Sequence, residues 1–158
     1  MTKVYPRERL SEIIDKLKEE GKTIGFANGC FDLLHVGHIR YLKDAKSNCD
    51  ILVVALNTDE SVRRLKGEGR PRTPLNERLE IMEAIEFVDY LTFFGEDTVE
   101  ETLRILKPHI QFKGTDYTVD TVPEKKVMEE LGGRVMIVGD PKDHSTTEIL
   151  ERIKNEKG

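Results

Sequence analysis

The sequence has little cysteine, no long apolar run and no excess of basic residues, and each lack removes a class of function. Cys30 and Cys49 are the only cysteines. They are too few for a disulfide framework and too far apart for a CxxC motif, so both read as reduced thiols. No apolar stretch approaches the ~20 residues needed to span a bilayer. The opening Met1-Thr2-Lys3-Val4-Tyr5-Pro6 lacks the apolar stretch of a secretory signal. A cytoplasmic location with no membrane partner is therefore expected. Net charge is −5, and the 35% of charged residues mix both signs. Nucleic-acid binders usually carry a net basic footprint, so nucleic acid is not the expected partner. A local basic pocket for a small phosphate compound remains compatible with that balance. Two common phosphate-binding signatures are also missing, the glycine-rich dinucleotide fingerprint and the GxxxxGK(S/T) loop.

What is present suits one domain of ordinary size, spanning 1–158, with 37% apolar residues for a single core. Leu10, Ile13, Ile14 and Leu17 repeat at helical spacing, with Gly21 as a stop. A short strand over 23–27, a helix stripe of Ile39, Leu42 and Ala45, and the continuous apolar run 51–56 follow. Such a run is expected of a parallel strand covered on both faces. Val62 and Leu65 mark a short helix and 66–73 a loop rich in Gly, Pro and Arg. Thr73 and Pro74 read as the N-cap and first residue of a helix bearing Leu75, Leu79, Met82 and Ile85. The second half gives a strand over 88–94 and a capping box at 97–100 before a helix with Leu103 and Leu106. A strand over 110–112, a helix over 123–131, a strand over 135–138 and a last helix capped at 145–148 complete the pattern. This alternation predicts an α/β fold, Rossmann-like and three-layered, with a mostly parallel sheet of about five strands. Ligands in such folds bind beyond the carboxyl ends of the strands where strand order reverses. Residues 28–38, 113–117 and 140–147 should converge there.

The segment 28–38, Asn-Gly-Cys-Phe-Asp-Leu-Leu-His-Val-Gly-His, follows a strand and opens a helix. A helix N-terminus exposes unpaired N–H groups and a partial positive charge, which suits a phosphate. Gly29 and Gly37 permit close backbone approach, and His35 and His38 could donate hydrogen bonds to phosphate oxygens. A His-x-x-His pair can also hold a metal, but no third Cys/His cluster and no HExxH pattern accompanies it, so no protein-held metal is expected. Asp32 reads either as a ligand contact or as a brace for the turn. Lys66 reads either as a solvated charge or, placed before Arg70 and Arg72, as a phosphate group.

The run resembles the HxGH signature of the nucleotidyltransferase superfamily, in its cytidylyltransferase-like branch. The likeness extends from about Ile24 to Ile149. It takes in Ala55-Leu56-Asn57-Thr58-Asp59-Glu60, Arg64-Leu65-Lys66-Gly67, Phe112-Lys113-Gly114-Thr115-Asp116-Tyr117 and Ser145-Thr146-Thr147. It is similar above all to the adenylyltransferase domains of ADP-heptose synthases. The resemblance implies transfer of AMP from ATP to a sugar 1-phosphate, with magnesium accompanying ATP. It implies catalytic roles for His35, His38 and Lys66. Nucleotide binding would involve Gly29, Cys30, Phe31, Asp32, Asp59, Arg78, Lys113, Gly114, Ser145, Thr146 and Thr147. Acceptor binding would involve Lys66, Arg70 and Asp116. A homodimer and a separate sugar kinase acting beforehand are implied by analogy. Two features depart from the pattern. Asn76 stands where relatives usually carry an acid, and residues 141–144, Pro-Lys-Asp-His, replace a loop that usually carries glycine. Glycerol-phosphate or ethanolamine-phosphate cytidylyltransferase, flavin adenylyltransferase and a non-catalytic nucleotide sensor are the competing readings.

Overall fold

A computed structural model describes residues 2–140. Five parallel strands form one sheet in the order β3-β2-β1-β4-β5. They are β1 (Ile24–Gly29), β2 (Ile51–Asn57), β3 (Tyr90–Phe94), β4 (Ile110–Lys113) and β5 (Arg134–Ile137). Among the described residues six α-helices connect or flank them: α1 (Arg7–Glu19), α2 (Val36–Ser47), α3 (Asp59–Lys66), α4 (Leu75–Glu83), α5 (Glu100–Leu106) and α6 (Lys125–Glu130). The expected parallel α/β architecture is thus observed, and the sheet is parallel throughout. None of the described helices is long and apolar enough to cross a membrane.

Strand alternation divides the core in two. Ile24 and Phe26 of β1 face Leu10 and Ile14 of α1, Leu103 of α5 and Met128 of α6. Ala27 of β1 faces the other way, with Leu42 of α2, Leu79 and Met82 of α4, and Phe112 of β4. The apolar run Ile51–Asn57 is buried on both faces because helices cover both. The chain's start adds an edge that hydropathy does not reveal. Val4 bridges Leu91 of β3, and Tyr5 N–H donates to the Leu91 carbonyl at 3.0 Å.

Two helix starts differ from expectation. Pro74, not Thr73, is the N-cap of α4, and it offers no capping side chain. Likewise α5 starts after Val99 without a side-chain cap, so Asp97 and Thr98 form no capping box. At α5 the carboxylate that would cap has another partner, and the loop before α4 is held through its backbone. Asp97 pairs with Arg64 at 2.9 Å, and the Thr73 N–H donates to Asp32 at 2.9 Å.

Strand order reverses at β1, which lies between β2 and β4. The connection from β1 runs outward to β2 and β3, and the chain then crosses back to β4. The carboxyl ends of β1 and β4 therefore frame a crevice, the position favoured for ligands in open parallel sheets.

Candidate active site

A cleft of about 870 Å³ opens there, lined by residues of the β1–α2 turn, by Lys66 and Arg70, by the segment after β4, and by Val138, Gly139 and Asp140. Residues 28–38 and 113–117 thus meet as expected, and Asp140 from the third segment joins them. Ser145, Thr146 and Thr147, the 141–144 loop and the last helix lie outside the described residues.

The β1–α2 turn is held tightly. Gly29 is where a side chain would crowd Phe31, since an added Cβ would lie 3.0 Å from the Phe31 ring. Phe31 adopts φ +47°, a left-handed conformation rare for a non-glycine residue, with its ring buried in the α2-side core. The left-handed residue turns the chain sharply and helps deliver His35 to the N-cap of α2. The two histidines then cap the helix reciprocally. Nδ1 of His35 accepts from Gly37 N–H at 3.0 Å, and Nδ1 of His38 accepts from His35 N–H at 3.2 Å. A ring nitrogen that accepts an N–H bond carries no proton, so each neutral ring bears its proton on Nε2. The backbone cap thereby sets the tautomer of two cleft-lining imidazoles as Nε2–H donors. The rings lie 4.1 Å apart, and Phe31 meets His38 edge-on at 5.4 Å. Burial, followed by the neighbouring His35 and Lys66, lowers the His38 pKa to about 4. His38 is a neutral donor at physiological pH.

Asp32 lines the cleft and also braces the turn. Its side chain is 1% exposed. It accepts from Arg70 Nε at 2.9 Å, Arg72 N–H at 3.0 Å and Thr73 N–H at 2.9 Å. Burial alone would raise its pKa, but the bonds from Arg72, Thr73 and Arg70 outweigh burial and hold it below the usual carboxylate value. The carboxylate ties the β1–α2 turn to the loop that follows Lys66. That loop has two parts. Residues 66–69 are exposed, and Gly67 (φ +96°) and Gly69 (φ +84°) occupy conformations that glycine adopts freely. Arg70–Thr73 is clasped to Asp32.

Arg78 and Asp59 lie off the cleft, with partners inside the protein. The Arg78 side chain is fully buried. It donates to the carbonyls of Cys30, Asn57 and Thr73, and to Asp59 Oδ1 at 2.7 Å. Asp59 Oδ1 also accepts from Leu75 N–H at 2.9 Å, which links α3 to the start of α4. The acid that pairs with this arginine, Asp59, is thus contributed from α3. Cys30 lines the cleft, and burial raises its thiol pKa. Lys113 sits in the cleft wall, 3.6 Å from Glu124 Oε1 and over the Tyr117 ring at 5.3 Å. Gly114 and Asp116 line the same wall. Tyr41 was not picked out by sequence reasoning. It lies one turn beyond His38 on α2, lines the cleft, and donates its hydroxyl to the Phe112 carbonyl at 3.0 Å. The helical spacing His38–Tyr41 was the available signal.

Residues 26–152 match a family model described as cytidylyltransferase-like. The chain is 47% identical over 152 residues to the bifunctional protein HldE of Pelobacter propionicus, covering 96% of this chain and 31% of that protein. It is 48% identical over 151 residues to the bifunctional protein HldE of Geobacter metallireducens, with the same coverage. The chain thus spans about a third of the length of these curated relatives. Among solved structures, the lipopolysaccharide core biosynthesis protein of Thermoplasma volcanium is 33% identical with a TM-score of 0.64, covering 75% of this chain and 95% of that one. Pantoate-β-alanine ligase of Francisella tularensis shares the fold at 16% identity and a TM-score of 0.55, over 98% of this chain and 78% of that one. The chain belongs to the cytidylyltransferase-like family and is a nucleotidyltransferase.

Proposed function

We propose that the protein transfers AMP from ATP to a sugar 1-phosphate, heptose 1-phosphate in particular, giving an ADP-sugar and pyrophosphate. The observation that carries the transfer chemistry is the reciprocal imidazole cap, which leaves the Nε2–H of both rings as donors on residues that line one cleft with Lys66. The adenylyl and heptose assignments rest on the motif set shared with ADP-heptose synthases. Likeness to a lipopolysaccharide core biosynthesis protein supports them.

An oxygen of the acceptor phosphate attacks the α-phosphorus of ATP. A new P–O bond forms, the bond from the α-phosphorus to the bridging oxygen breaks, and pyrophosphate leaves with that electron pair. The attacking oxygen is already anionic, so no proton must be removed first. Catalysis is therefore positioning and charge stabilisation. His35 and His38 donate to oxygens of the triphosphate, and Lys66 approaches the charge that grows as pyrophosphate separates. Arg70, fixed by Asp32, adds positive charge on the acceptor's side of the cleft.

Magnesium belongs to this scheme as part of the nucleotide substrate. The donor set fits that role. Among the described residues no group of His, Cys, Asp and Glu could hold an ion by itself, and Asp32 is committed to the loop clasp. Phosphate oxygens of the nucleotide would hold the ion, which would supply charge neutralisation. Family analogy adds a cytoplasmic homodimer and a sugar kinase supplying the acceptor, on this polypeptide or another.

A panel of nucleoside triphosphates crossed with phosphorylated acceptors, read by pyrophosphate release, tests this reading. ATP with a sugar 1-phosphate should give the highest kcat/KM. Preference for CTP with glycerol 3-phosphate or ethanolamine phosphate would make the protein a cytidylyltransferase. Nucleotide binding without turnover on any acceptor would make it a sensor.

A further inference from the structure

A second, smaller cavity of about 270 Å³ lies at the C-terminal ends of β1, β2 and β3, lined by Asn28, Asn57, Leu65, Phe94, Thr98 and Glu124 among others. It adjoins the large cleft. Asn28 lines both, Leu65 precedes the cleft residue Lys66, and Lys113 of the cleft wall pairs with Glu124.

Buried polar atoms without a hydrogen bond inside the protein collect on this side of the molecule. Among the described residues they are Asn28 Oδ1, Thr92 Oγ1, both amide atoms of Gln111, and Glu124 Oε2. The sheet register places the three strand residues on one face. Asn28 and Thr92 both stand opposite Ala55, and Gln111 stands opposite Phe26 and Val135. Ala55, Phe26 and Val135 all belong to the core beneath α1, α5 and α6. The opposite face, beneath α2 and α4, contributes none of these atoms. Buried polar groups in folded proteins nearly always find partners, since burial removes their water. Glu124 is the most informative. It is only 8% exposed, one oxygen faces Lys113, and the other is buried with no donor. A carboxylate oxygen and an amide oxygen can only accept, so the missing partners of Glu124 and Asn28 are donors.

We infer that this cavity holds the polyhydroxylated part of the acceptor, and that Glu124 selects a polyol phosphate by accepting hydrogen bonds from its hydroxyls. The inference rests on the proposed transfer to a phosphorylated acceptor. The acceptor phosphate lies beside Lys66, and its carbon chain passes Asn28 to reach Glu124. Leu65 and Phe94 pack against the chain's C–H surfaces.

The test is Glu124→Gln, which keeps the side chain's shape but replaces one acceptor oxygen with a donor. The KM for heptose 1-phosphate or mannose 1-phosphate should rise about tenfold or more, as expected for a lost hydrogen bond to a charged group. The kcat and the KM for ATP should change less than twofold. For deoxy analogues of the sugar phosphate, the penalty should vanish at the hydroxyl that Glu124 reads. An unchanged KM, or an equal rise for ATP and every acceptor, would overturn the inference, the second outcome showing that Glu124 acts only through Lys113. Calorimetric titration of mannose 1-phosphate, heptose 1-phosphate and ethanolamine phosphate into protein saturated with a non-hydrolysable ATP analogue separates the two levels. Polyol-phosphate binding that weakens in the variant upholds the cavity assignment even where transfer fails. Preference for ethanolamine phosphate, or binding indifferent to the substitution, overturns it and leaves nucleotidyl transfer intact.

Discussion

Replacing Arg78 by lysine separates two roles that the sequence alone leaves merged. The buried guanidinium donates to Thr73 O at 2.9 Å, to Cys30 O and Asn57 O at 2.8 Å, and to Asp59 Oδ1 at 2.7 Å. These acceptors come from the loop before α4, the turn after β1, the end of β2 and the start of α3. Lysine keeps the charge but offers its donors from a single point, so it cannot span a set arranged around a planar fork. Asp59 is 39% exposed, so solvent screens the ion pair itself and the three carbonyl bonds carry most of the effect. Hydrogen bonds from charged groups contribute about 1.5–3 kcal/mol each. Loss of about two of them sets the expected destabilisation near 3–6 kcal/mol, or roughly 6–24 °C in Tm for a domain of this size. Thermal unfolding followed by circular dichroism gives the shift, and the KM for ATP is measured at a temperature where the variant is folded. A variant with the wild-type Tm and a greatly raised KM for ATP would refute this reasoning and place the guanidinium on the phosphates.

His38→Ala should lower kcat by about 10²–10³ while the fold survives; near-normal turnover in a folded variant would remove His38 from the mechanism. Because burial holds His38 near 4 against an ordinary 6.5, the unfolded chain binds more protons between those values. The stability that His38 contributes is present above about 6.5 and lost as pH falls through about 4. An NMR titration of its ring in the free enzyme should show the low midpoint, and one near 6.5 would contradict the burial argument. Lys66→Ala should reduce kcat more than it raises the KM for ATP, the result expected of a group that meets charge developing in the transition state; the reverse would make it a ground-state tether. Limited proteolysis should cut at 66–69, and ATP with magnesium should protect the site; equal cutting in both conditions would show that the segment does not close over the triphosphate.

The parts of the fold that were legible are those where periodicity and burial agree. The apolar run of β2 and the stripes of α1 and α2 are unambiguous because each element buries a defined face. The position of the cleft followed from strand alternation, and the histidine pair from its place between a strand and a helix. Long-range pairing was not legible. Asp32 reads locally as a turn residue, and its partners Arg70, Arg72 and Thr73 lie about forty positions away. Arg78 has the sequence context of a surface helix residue, yet it is buried because four acceptors from separate segments surround it. Glu124 has no local signal at all, since its burial depends on where α6 meets the sheet. The capping box read at Asp97 does not form for the same reason, since that carboxylate pairs with the distant Arg64.

In the proposed reaction the acceptor's phosphate oxygen attacks the α-phosphorus of ATP. That attack is tested most directly by isotope position. Sugar 1-phosphate carrying ¹⁸O in its three non-bridging phosphate oxygens is incubated with ATP, magnesium and enzyme, and the products are weighed by mass spectrometry. Attack by the acceptor phosphate gives an ADP-sugar that retains all three labels and a pyrophosphate that carries none. Label in pyrophosphate, or release of ADP or orthophosphate in place of pyrophosphate, would contradict it.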